Sequence, residues 1–222
     1  MFLPLFLGLI LSSFLKAQPE GFLDVKKLIP DIVLDLRYTG SHNFVGKPVD
    51  GYISKRCFLT SEAATALQKI QEKLKNFGLG LKVYDAYRPQ RAVDHFVRWA
   101  KVLNDTIMKR EFYPDVKKED LFAKGYIADK SGHSRGSAVD VTIISLKPGE
   151  EGRELDMGCY FDYFGTISWP MDTTININQR ANRMLLREIM MKYGFEPYPC
   201  EWWHFRLINE PYPDTYFDFP VQ

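Results

Sequence analysis

Two short runs of this sequence, far apart in the chain, together contain the side chains of a catalytic metal site. Residues 131–140 include His133 and Asp140, and residues 201–204 begin with a carboxylate and end with the imidazole of His204. Two imidazoles and one carboxylate are a ligand set of catalytic zinc sites, in which the fourth position stays open for water. The sequence therefore predicts one zinc ion per chain, bound by His133, Asp140 and His204.

Glu201 is a further carboxylate, three residues before the last predicted ligand. A carboxylate beside a catalytic zinc site can take a proton from water and pass it to a leaving amine, which is general acid/base catalysis. The alternatives are a carboxylate that only supports a ligand, or one member of an ion pair at a strand edge. We predict that Glu201 is the general base of a hydrolytic site.

The spacing of these residues requires two irregularities in the backbone. Side chains alternate between the faces of a strand, so His133 and Asp140, seven residues apart, would point to opposite sides of a regular strand. The small residues 136–138 between them allow a break that turns both ligands to one side. Glu201 and His204 have the same problem, which predicts a bulge or a position of Glu201 at the entrance of its strand.

The pattern Ser-x-His-x-x-Gly-x-Ala-x-Asp followed by Glu-x-x-His resembles the M15 zinc peptidases. Further short sequence motifs look like those of the VanX-type D-alanyl-D-alanine dipeptidases of that family. They lie at residues 46–52, 85–89, 201–204, 210–213 and 216–221. The similarity extends from about residue 22 to residue 222, which is far more specific than a single motif. It implies that Glu201 is the catalytic acid/base residue.

Arg88 matches the arginine that stabilises the transition state in this family. It follows Tyr87 and precedes Pro89 in a turn after a predicted strand, where a rigid backbone can aim a guanidinium. A fixed cation near developing negative charge can contribute roughly 3 to 4 kcal/mol to the rate. The alternative for Arg88 is a surface salt bridge.

The resemblance also implies residues that recognise the two ends of a small D,D-dipeptide. Ser131 and Tyr38 are placed at the carboxylate end of the substrate, and Asp162 is placed at its ammonium end. Each has a simpler alternative: Ser131 could shape the turn before the ligand motif, Tyr38 could belong to the core, and Asp162 could cap a short helix.

The implied activity is zinc-dependent hydrolysis of D-alanyl-D-alanine to two D-alanines, in cell-wall peptide metabolism or glycopeptide resistance. One alternative is a D,D-carboxypeptidase or peptidoglycan peptidase that acts on longer stem peptides. The loop at 149–175 distinguishes the dipeptidase from the peptidase of longer stems, because a loop that covers the pocket excludes a pentapeptide. A third candidate is a non-catalytic, zinc-bearing wall-binding module, which would need neither Glu201 nor Arg88.

Composition excludes nucleic acid as a partner. The chain has 222 residues, 29 basic and 28 acidic side chains and a net charge of +1, so no field attracts a polyanion. Residues 1–17 form an apolar stretch that we interpret as a signal peptide, with a zinc dipeptidase domain at 18–222 and no stable membrane span in the mature chain. We expect an exported, periplasmic protein, or a cytoplasmic one if the leader is not a signal; the oligomeric state stays open.

Hydrophobic periodicity predicts an α+β fold, with a mainly antiparallel sheet that carries the zinc site and helices packed on it. The predicted strands are 25–38, 81–85, 139–145 and 202–207, and the predicted helices are 61–77, 90–103 and 180–193. Residues 104–129 are predicted as mixed loop and short helix. The three cysteines are an odd number, so Cys159 and Cys200 could be bridged, or all three thiols could be free.

Overall fold

A computed structural model describes residues 18–222, in which short strands and helices are interspersed along the chain. The strands are β1 (Phe22–Asp24), β2 (Val33–Leu34), β3 (Phe58–Thr60), β4 (Leu79–Asp85), β5 (Ala138–Ser145), β6 (Phe195–Tyr198) and β7 (Glu201–Leu207). The helices are α1 (Val25–Leu28), α2 (Ser61–Lys75), α3 (Gln90–Lys101), α4 (Lys109–Phe112) and α5 (Ile177–Lys192). The predicted α+β fold class is confirmed. The predicted signal peptide, residues 1–17, lies outside the described residues.

One sheet has the strand order β2-β4-β5-β7-β6 and carries most of the candidate site. Its neighbouring strands are antiparallel except β2 and β4, which are parallel, so the predicted mainly antiparallel sheet is confirmed. β1 and β3 form a separate antiparallel pair. All eight residues of the central strand β5 are buried. A charged side chain in such a strand, such as Asp140, must find polar partners within the protein.

Helix α2 packs against β3 and β4 through the apolar face that the sequence predicts. Its buried side chains recur at steps of three and four residues and include Ala64, Leu67, Ile70 and Leu74. The helix ends at Lys75, slightly before the predicted end, and Gly78 adopts a left-handed φ of +67°. Phe77, the last residue of the predicted helix, lies beyond the observed helix end and is 64% exposed.

The single strand predicted for residues 25–38 is wrong. The segment contains helix α1, the two-residue strand β2 and a 3-10 turn at Arg37–Thr39. Asp24 caps α1 by accepting a hydrogen bond from the backbone N–H of Lys26, which favours a helical turn. Pro30 then lacks the N–H that a continuous strand ladder requires.

The edge strand β6 is a second difference from the prediction, because no strand was predicted for its residues. It contains Pro197, which an edge strand tolerates since one of its sides makes no ladder hydrogen bonds. All three cysteines are free thiols, so of the two alternatives for Cys159 and Cys200 the structure contains no bridge. Within residues 18–222 no helix has the length and apolar character needed to cross a bilayer.

Candidate metal centre and active site

The three predicted zinc ligands come from three different local structures that meet at one end of the sheet. His133 lies in a 3-10 helix at Gly132–Arg135, Asp140 is in the central strand β5, and His204 is in β7. Asp140 and His204 are direct partners in the antiparallel β5–β7 pair, so both side chains point to the same face of the sheet.

Both predicted irregularities of the backbone are present. The 3-10 helix that carries His133 ends at Gly136, whose φ of +82° separates it from β5. In the β6–β7 pair the register shifts: Tyr198 is opposite Glu201, whereas Pro197 is opposite Phe205. Glu201 is also the first residue of its strand. The two breaks allow four functional side chains to face one cavity.

The candidate ligand atoms lie very close to one another. His133 Nε2 is 3.0 Å from His204 Nδ1 and 3.3 Å from Asp140 Oδ1, and His204 Nδ1 is 3.0 Å from the same carboxylate oxygen. This is the one His/Cys/Asp/Glu group in the described part of the chain whose geometry could hold a metal ion. Two ring nitrogens and one carboxylate oxygen fit zinc, which prefers nitrogen and oxygen donors of this kind.

The tautomer of His133 suits metal binding. Its Nδ1 lies 2.7 Å from the backbone oxygen of Ala86, which accepts a hydrogen bond from the Nδ1–H. This fixes the proton on Nδ1 and leaves the lone pair of Nε2 directed at Asp140 and His204. Ligating histidines are commonly oriented in this way by a backbone carbonyl.

The charges of the site favour a cation. Burial alone would raise the pKa of Asp140, but the charge and hydrogen bonds of His133 and His204 outweigh burial and hold that pKa well below its usual value. Burial would lower the pKa of His204, yet the hydrogen bond and charge of Asp140 raise it. Asp140 is thus an ionised carboxylate with only 2% of its surface exposed, next to two potential nitrogen ligands.

Glu201 stands beside this cluster without belonging to it. Its Oε2 is 3.9 Å from His204 Nδ1, and the side chain is partly buried. Burial, together with the charge of Asp140, raises the pKa of Glu201 to about 7, against the opposing charges of His204 and Arg88. A carboxylate whose pKa lies near neutrality can accept a proton and return it.

The guanidinium of Arg88 lies on the other side of Asp140. Its Nη2 is 3.7 Å from Asp140 Oδ2, and its Nε and Nη2 are both 2.9 Å from Asp85 Oδ2. The group also lies 5.2 Å from the ring centroids of Tyr38 and Phe96. Arg88 is therefore held in a fixed position with 13% of its side chain exposed, and its salt bridge to the buried Asp85 is not a surface one.

Asp162, Tyr38 and Ser131 also reach the site, with one unexpected contact. The hydroxyl of Tyr38 donates to the carboxylate of Asp162, at 2.9 Å from Oδ2, although the two were predicted at opposite ends of a substrate. Burial and the charge of Asp140 raise the pKa of Asp162 well above its usual value. Ser131 caps the 3-10 helix by accepting from the backbone N–H of His133 at 3.3 Å. Their roles toward substrate stay predictions.

A cavity of about 220 Å³ unites the site. All of the residues predicted from the sequence line it: Tyr38, Arg88, Ser131, His133, Asp140, Asp162, Glu201 and His204. Its apolar walls include Phe44, Phe164 and Tyr126, and the rings of Phe164 and Tyr126 stack with their centroids 4.9 Å apart. Phe164 and Asp162 both come from the predicted loop at 149–175, which thus forms one side of the cavity.

Sequence reasoning missed two residues that fix Arg88. Asp85 is 1% exposed, and its Oδ1 accepts a 2.6 Å hydrogen bond from the hydroxyl of Tyr52. Tyr52 lies in the motif at 46–52 and Asp85 in the motif at 85–89, both of which support the family resemblance, but neither residue was assigned a role. The available signal was an aspartate at the end of an apolar strand, three residues before a candidate catalytic arginine.

Comparisons with known proteins indicate a peptidase family, which is the class of enzyme that this set of site residues suggests. A profile of the peptidase M15 family, described as D-ala-D-ala dipeptidase, matches residues 18–222. The D-alanyl-D-alanine dipeptidase of Streptomyces coelicolor is 44% identical over 200 residues, which are 90% of this chain and 98% of that protein. The D-alanyl-D-alanine dipeptidase of Enterococcus faecium is 42% identical over 202 residues, or 91% of this chain and 98% of that one.

A solved structure of a Zn(II)-bound mutant of VanY, a vancomycin resistance D,D-pentapeptidase, shows a weaker likeness. The TM-score is 0.43 and the identity 15%, over 71% of this chain and 77% of the other. This similarity is too low to support an argument about function.

Proposed function

The chain belongs to the M15 peptidase family of D-Ala-D-Ala dipeptidases, and from that premise we propose that it hydrolyses free D-Ala-D-Ala to two D-alanines with the help of one zinc ion. One observation carries the proposal. The close triad of His133, Asp140 and His204 opens into the same cavity as Glu201 and Arg88. A wall-binding module would need neither the base nor the cation of Arg88, so the catalytic alternative is favoured.

His133, Asp140 and His204 would hold the zinc ion through Nε2, a carboxylate oxygen and Nδ1. A zinc ion in such a site lowers the pKa of water from 15.7 to roughly 7 and so supplies hydroxide at neutral pH. The contribution of the chain is to aim three donors at one point. The Ala86 carbonyl places the ring proton of neutral His133 on Nδ1, so that Nε2 is the donor atom, and the low pKa of Asp140 keeps its carboxylate ionised.

Glu201 is proposed as the general base and acid. It would take the proton of the attacking water and deliver it to the nitrogen of the leaving D-alanine. The support is its position 3.9 Å from His204 Nδ1, together with a burial that moves its pKa toward neutrality. Proton transfer by a positioned side chain contributes typically 10²- to 10⁴-fold to a rate, roughly 3 to 5 kcal/mol.

Arg88 is proposed to stabilise the negative charge that develops on the carbonyl oxygen during attack. Its charge is constant because arginine stays protonated, and its position is fixed by Asp85 and by two aromatic faces. A cation that does not reorganise during the reaction stabilises developing charge most efficiently in a site from which water is excluded.

Asp162 is proposed to bind the free ammonium group of the dipeptide. An ammonium beside it would neutralise a carboxylate that is 6% exposed and otherwise destabilised by burial. Ser131 and Tyr38 are proposed at the carboxylate end. In the structure the Tyr38 hydroxyl is bonded to Asp162, so binding of the substrate carboxylate would require that hydroxyl to change partner.

The size of the cavity favours a dipeptide over a longer peptide. About 220 Å³ is available, and the stacked rings of Tyr126 and Phe164 form part of its wall on the side of the 149–175 loop. A stem pentapeptide would have to extend beyond this volume. We therefore favour the dipeptidase over the D,D-carboxypeptidase, and we propose a role in cell-wall peptide metabolism or glycopeptide resistance.

Export to the periplasm is also part of the proposal. It rests on the apolar composition of residues 1–17 and is independent of the site. Expression of the full chain in a bacterium, followed by fractionation and N-terminal sequencing, tests it. Recovery of the intact N-terminus in the cytoplasm would contradict export.

The decisive experiment compares the wild-type protein with Glu201→Gln and with the control Glu188→Gln, whose side chain is exposed on α5. We expect wild type and control to release D-alanine from D-Ala-D-Ala at similar rates. Glu201→Gln should bind zinc with unchanged stoichiometry but turn over at least ~10²-fold more slowly. Turnover near the wild-type rate would assign the proton transfer to another group.

A further inference from the structure

Arg183 is a buried arginine outside the cavity that makes an unusual set of contacts. It lies on α5 and is 3% exposed. Its Nε donates to the carbonyl oxygen of Met157 at 2.6 Å, its Nη1 to that of Trp169 at 2.7 Å, and its Nη2 to that of Ile167 at 2.8 Å. All three branches of the guanidinium thus bind backbone oxygens of one loop.

No carboxylate is hydrogen-bonded to Arg183 among residues 18–222. Asp156 and Asp172 act on it only through longer-range electrostatics, and the remaining polar contact is the sulfur of Cys159 at 3.6 Å. Burying a guanidinium without a carboxylate partner is costly unless its hydrogen bonds are well satisfied. Here backbone carbonyl oxygens satisfy the hydrogen bonds of the guanidinium. The position of the guanidinium therefore depends on the conformation of the loop, and the conformation of the loop depends in turn on the guanidinium.

The contacts join the two ends of the segment that carries Asp162. Met157 lies before this segment, and Ile167 and Trp169 lie after it. Asp162 itself has a φ of +65°, the only positive φ of a non-glycine residue in the described part of the chain. An aspartate in the left-handed region is held there by its surroundings, at a cost in backbone energy.

The tip of the loop also packs into the protein next to Asp162. The ring of Phe161 stacks on Tyr84 with a centroid distance of 4.6 Å and meets Trp203 edge-on at 5.5 Å. The backbone N–H of Phe164 donates to the carbonyl oxygen of Phe112 at 2.7 Å. These contacts orient the tip, whereas Arg183 closes its base.

We infer that Arg183 is a positioning residue for the hydrolysis: by joining the two ends of residues 157–169 it keeps the Asp162 carboxylate where the substrate ammonium binds. The inference rests on the proposed function for its link to substrate. It does not rest on that function for its link to the loop. Arg183 touches neither the cavity nor the candidate metal ligands, so its effect should appear in substrate binding more than in turnover.

The test uses Arg183→Met, Arg183→Lys and the control Arg187→Met, a partly exposed arginine one turn further along α5. In Arg183→Met we expect KM for D-Ala-D-Ala to rise at least tenfold and kcat to fall less than threefold, with zinc content unchanged. Arg183→Lys keeps the charge, but its single nitrogen cannot reach three carbonyls that are bound by three separate nitrogens of the guanidinium, so KM should also rise, by a smaller factor. If Arg183→Met does not fold, Arg183→Lys carries the test. The control should match wild type.

Two further measurements separate positioning from a general loss of structure. Hydrogen–deuterium exchange should accelerate in residues 157–169 of the Arg183 variants and stay unchanged in β5 and β7. In an Asp162→Asn background, Arg183→Met should raise KM less than twofold further, because Arg183 affects substrate binding through the position of the Asp162 carboxylate. A wild-type KM in Arg183→Met would overturn the inference. So would a rise in KM on Arg183→Met that is equally large in the wild-type and the Asp162→Asn backgrounds.

Failure of the proposed function is distinguishable from failure of this inference. A wild-type protein that does not cleave D-Ala-D-Ala would contradict the function and leave the exchange experiment to decide whether Arg183 holds the loop. Unchanged exchange in residues 157–169 of both Arg183 variants would overturn the inference whatever the activity.

Discussion

Asp85 and Arg88 form a largely buried ion pair in which one carboxylate oxygen, Oδ2, lies 2.9 Å from both Nε and Nη2 of the guanidinium. The other oxygen of Asp85 accepts the hydroxyl of Tyr52 at 2.6 Å. The two residues are three positions apart at the end of β4, so the turn that follows the strand brings their side chains together. A rotation of the Arg88 side chain would therefore break the contacts of both Nε and Nη2 with Asp85.

This ion pair predicts the effect of Asp85→Asn. The amide preserves the shape of the side chain but removes the charge that fixes the arginine, so Arg88 should remain present but mobile. We expect kcat for D-Ala-D-Ala to fall about 10- to 100-fold, less than the 10²- to 10³-fold typical when a transition-state donor is deleted. KM should change little. Steady-state kinetics measure this, with the exposed Asp50→Asn as control.

A change confined to KM would mean that Arg88 binds the substrate carboxylate in the ground state. An unchanged kcat would show that Asp85 contributes to the fold alone. Thermal unfolding of the variant separates these cases, because removing one member of a buried pair also destabilises the protein.

The residues of the candidate metal triad could be predicted from sequence because each lies in a short motif with a characteristic spacing. The spacing of His133 and Asp140 around Gly136 requires a turn before a strand, and the spacing of Glu201 and His204 requires a bulge. Both are properties of short segments. Helix α2 was predictable for the same reason, since its 3.6-residue period lies within one continuous run.

What could not be predicted depends on contacts between distant segments. The alternating residues after Asp24 indicate a strand, but a cap at Asp24 and Pro30 divide the segment into a helical turn and a two-residue strand. Asp85 has a role only because Tyr52 and Arg88 meet it. The hydrogen bond between Tyr38 and Asp162 joins residues 124 positions apart, which no periodicity can reveal.

Gly136 should be intolerant of any side chain. A Cβ there would lie 2.3 Å from Cε1 of Phe22, whose ring packs against Tyr87, Phe217 and Phe219 at centroid distances of 5.0 to 5.5 Å and cannot easily move. Its φ of +82° adds strain to any L-residue. Gly136→Ala should lower the free energy of unfolding by more than about 2 kcal/mol. Thermal or denaturant unfolding measures the loss.

Gly149→Ala is the matched control for that substitution. Gly149 has the same φ of +82°, but its Cβ would meet no atom within 4 Å. Its cost should be limited to backbone strain, about 1 to 2 kcal/mol. If the two variants lose equal stability, the close approach of Phe22 contributes nothing and strain alone explains the need for glycine at 136.

Removal of one ligand should abolish metal binding and activity together. His204→Ala leaves only His133 and Asp140, and two protein donors are one fewer than catalytic zinc sites use. We expect less than a tenth of the wild-type zinc content after dialysis and no detectable release of D-alanine. His42→Ala, which alters an exposed histidine paired with Glu111, is the control and should retain both. Stoichiometric zinc in His204→Ala would contradict the ligand assignment.

Selectivity for a free amine should be the clearest sign of a dipeptidase. Asp162 is 6% exposed, and in the proposed complex its carboxylate faces the ammonium of the substrate. Acetylation of that amine removes the positive charge and leaves a buried carboxylate without its ionic partner. The cost of losing one member of a buried pair is about 3 to 5 kcal/mol, so kcat/KM for N-acetyl-D-Ala-D-Ala should fall by at least roughly 10²-fold.

A stem pentapeptide ending in D-Ala-D-Ala should be poorer still, since it adds the bulk that the cavity wall at Phe164 and Tyr126 excludes. Asp162→Asn should reduce the difference in kcat/KM between the free and the acetylated dipeptide, mainly by impairing hydrolysis of the free one. The control Asp172→Asn, at a partly exposed position, should preserve that difference. Competition assays with the three substrates measure these ratios. If wild type cleaves the pentapeptide as efficiently as the dipeptide, the D,D-carboxypeptidase alternative replaces the dipeptidase.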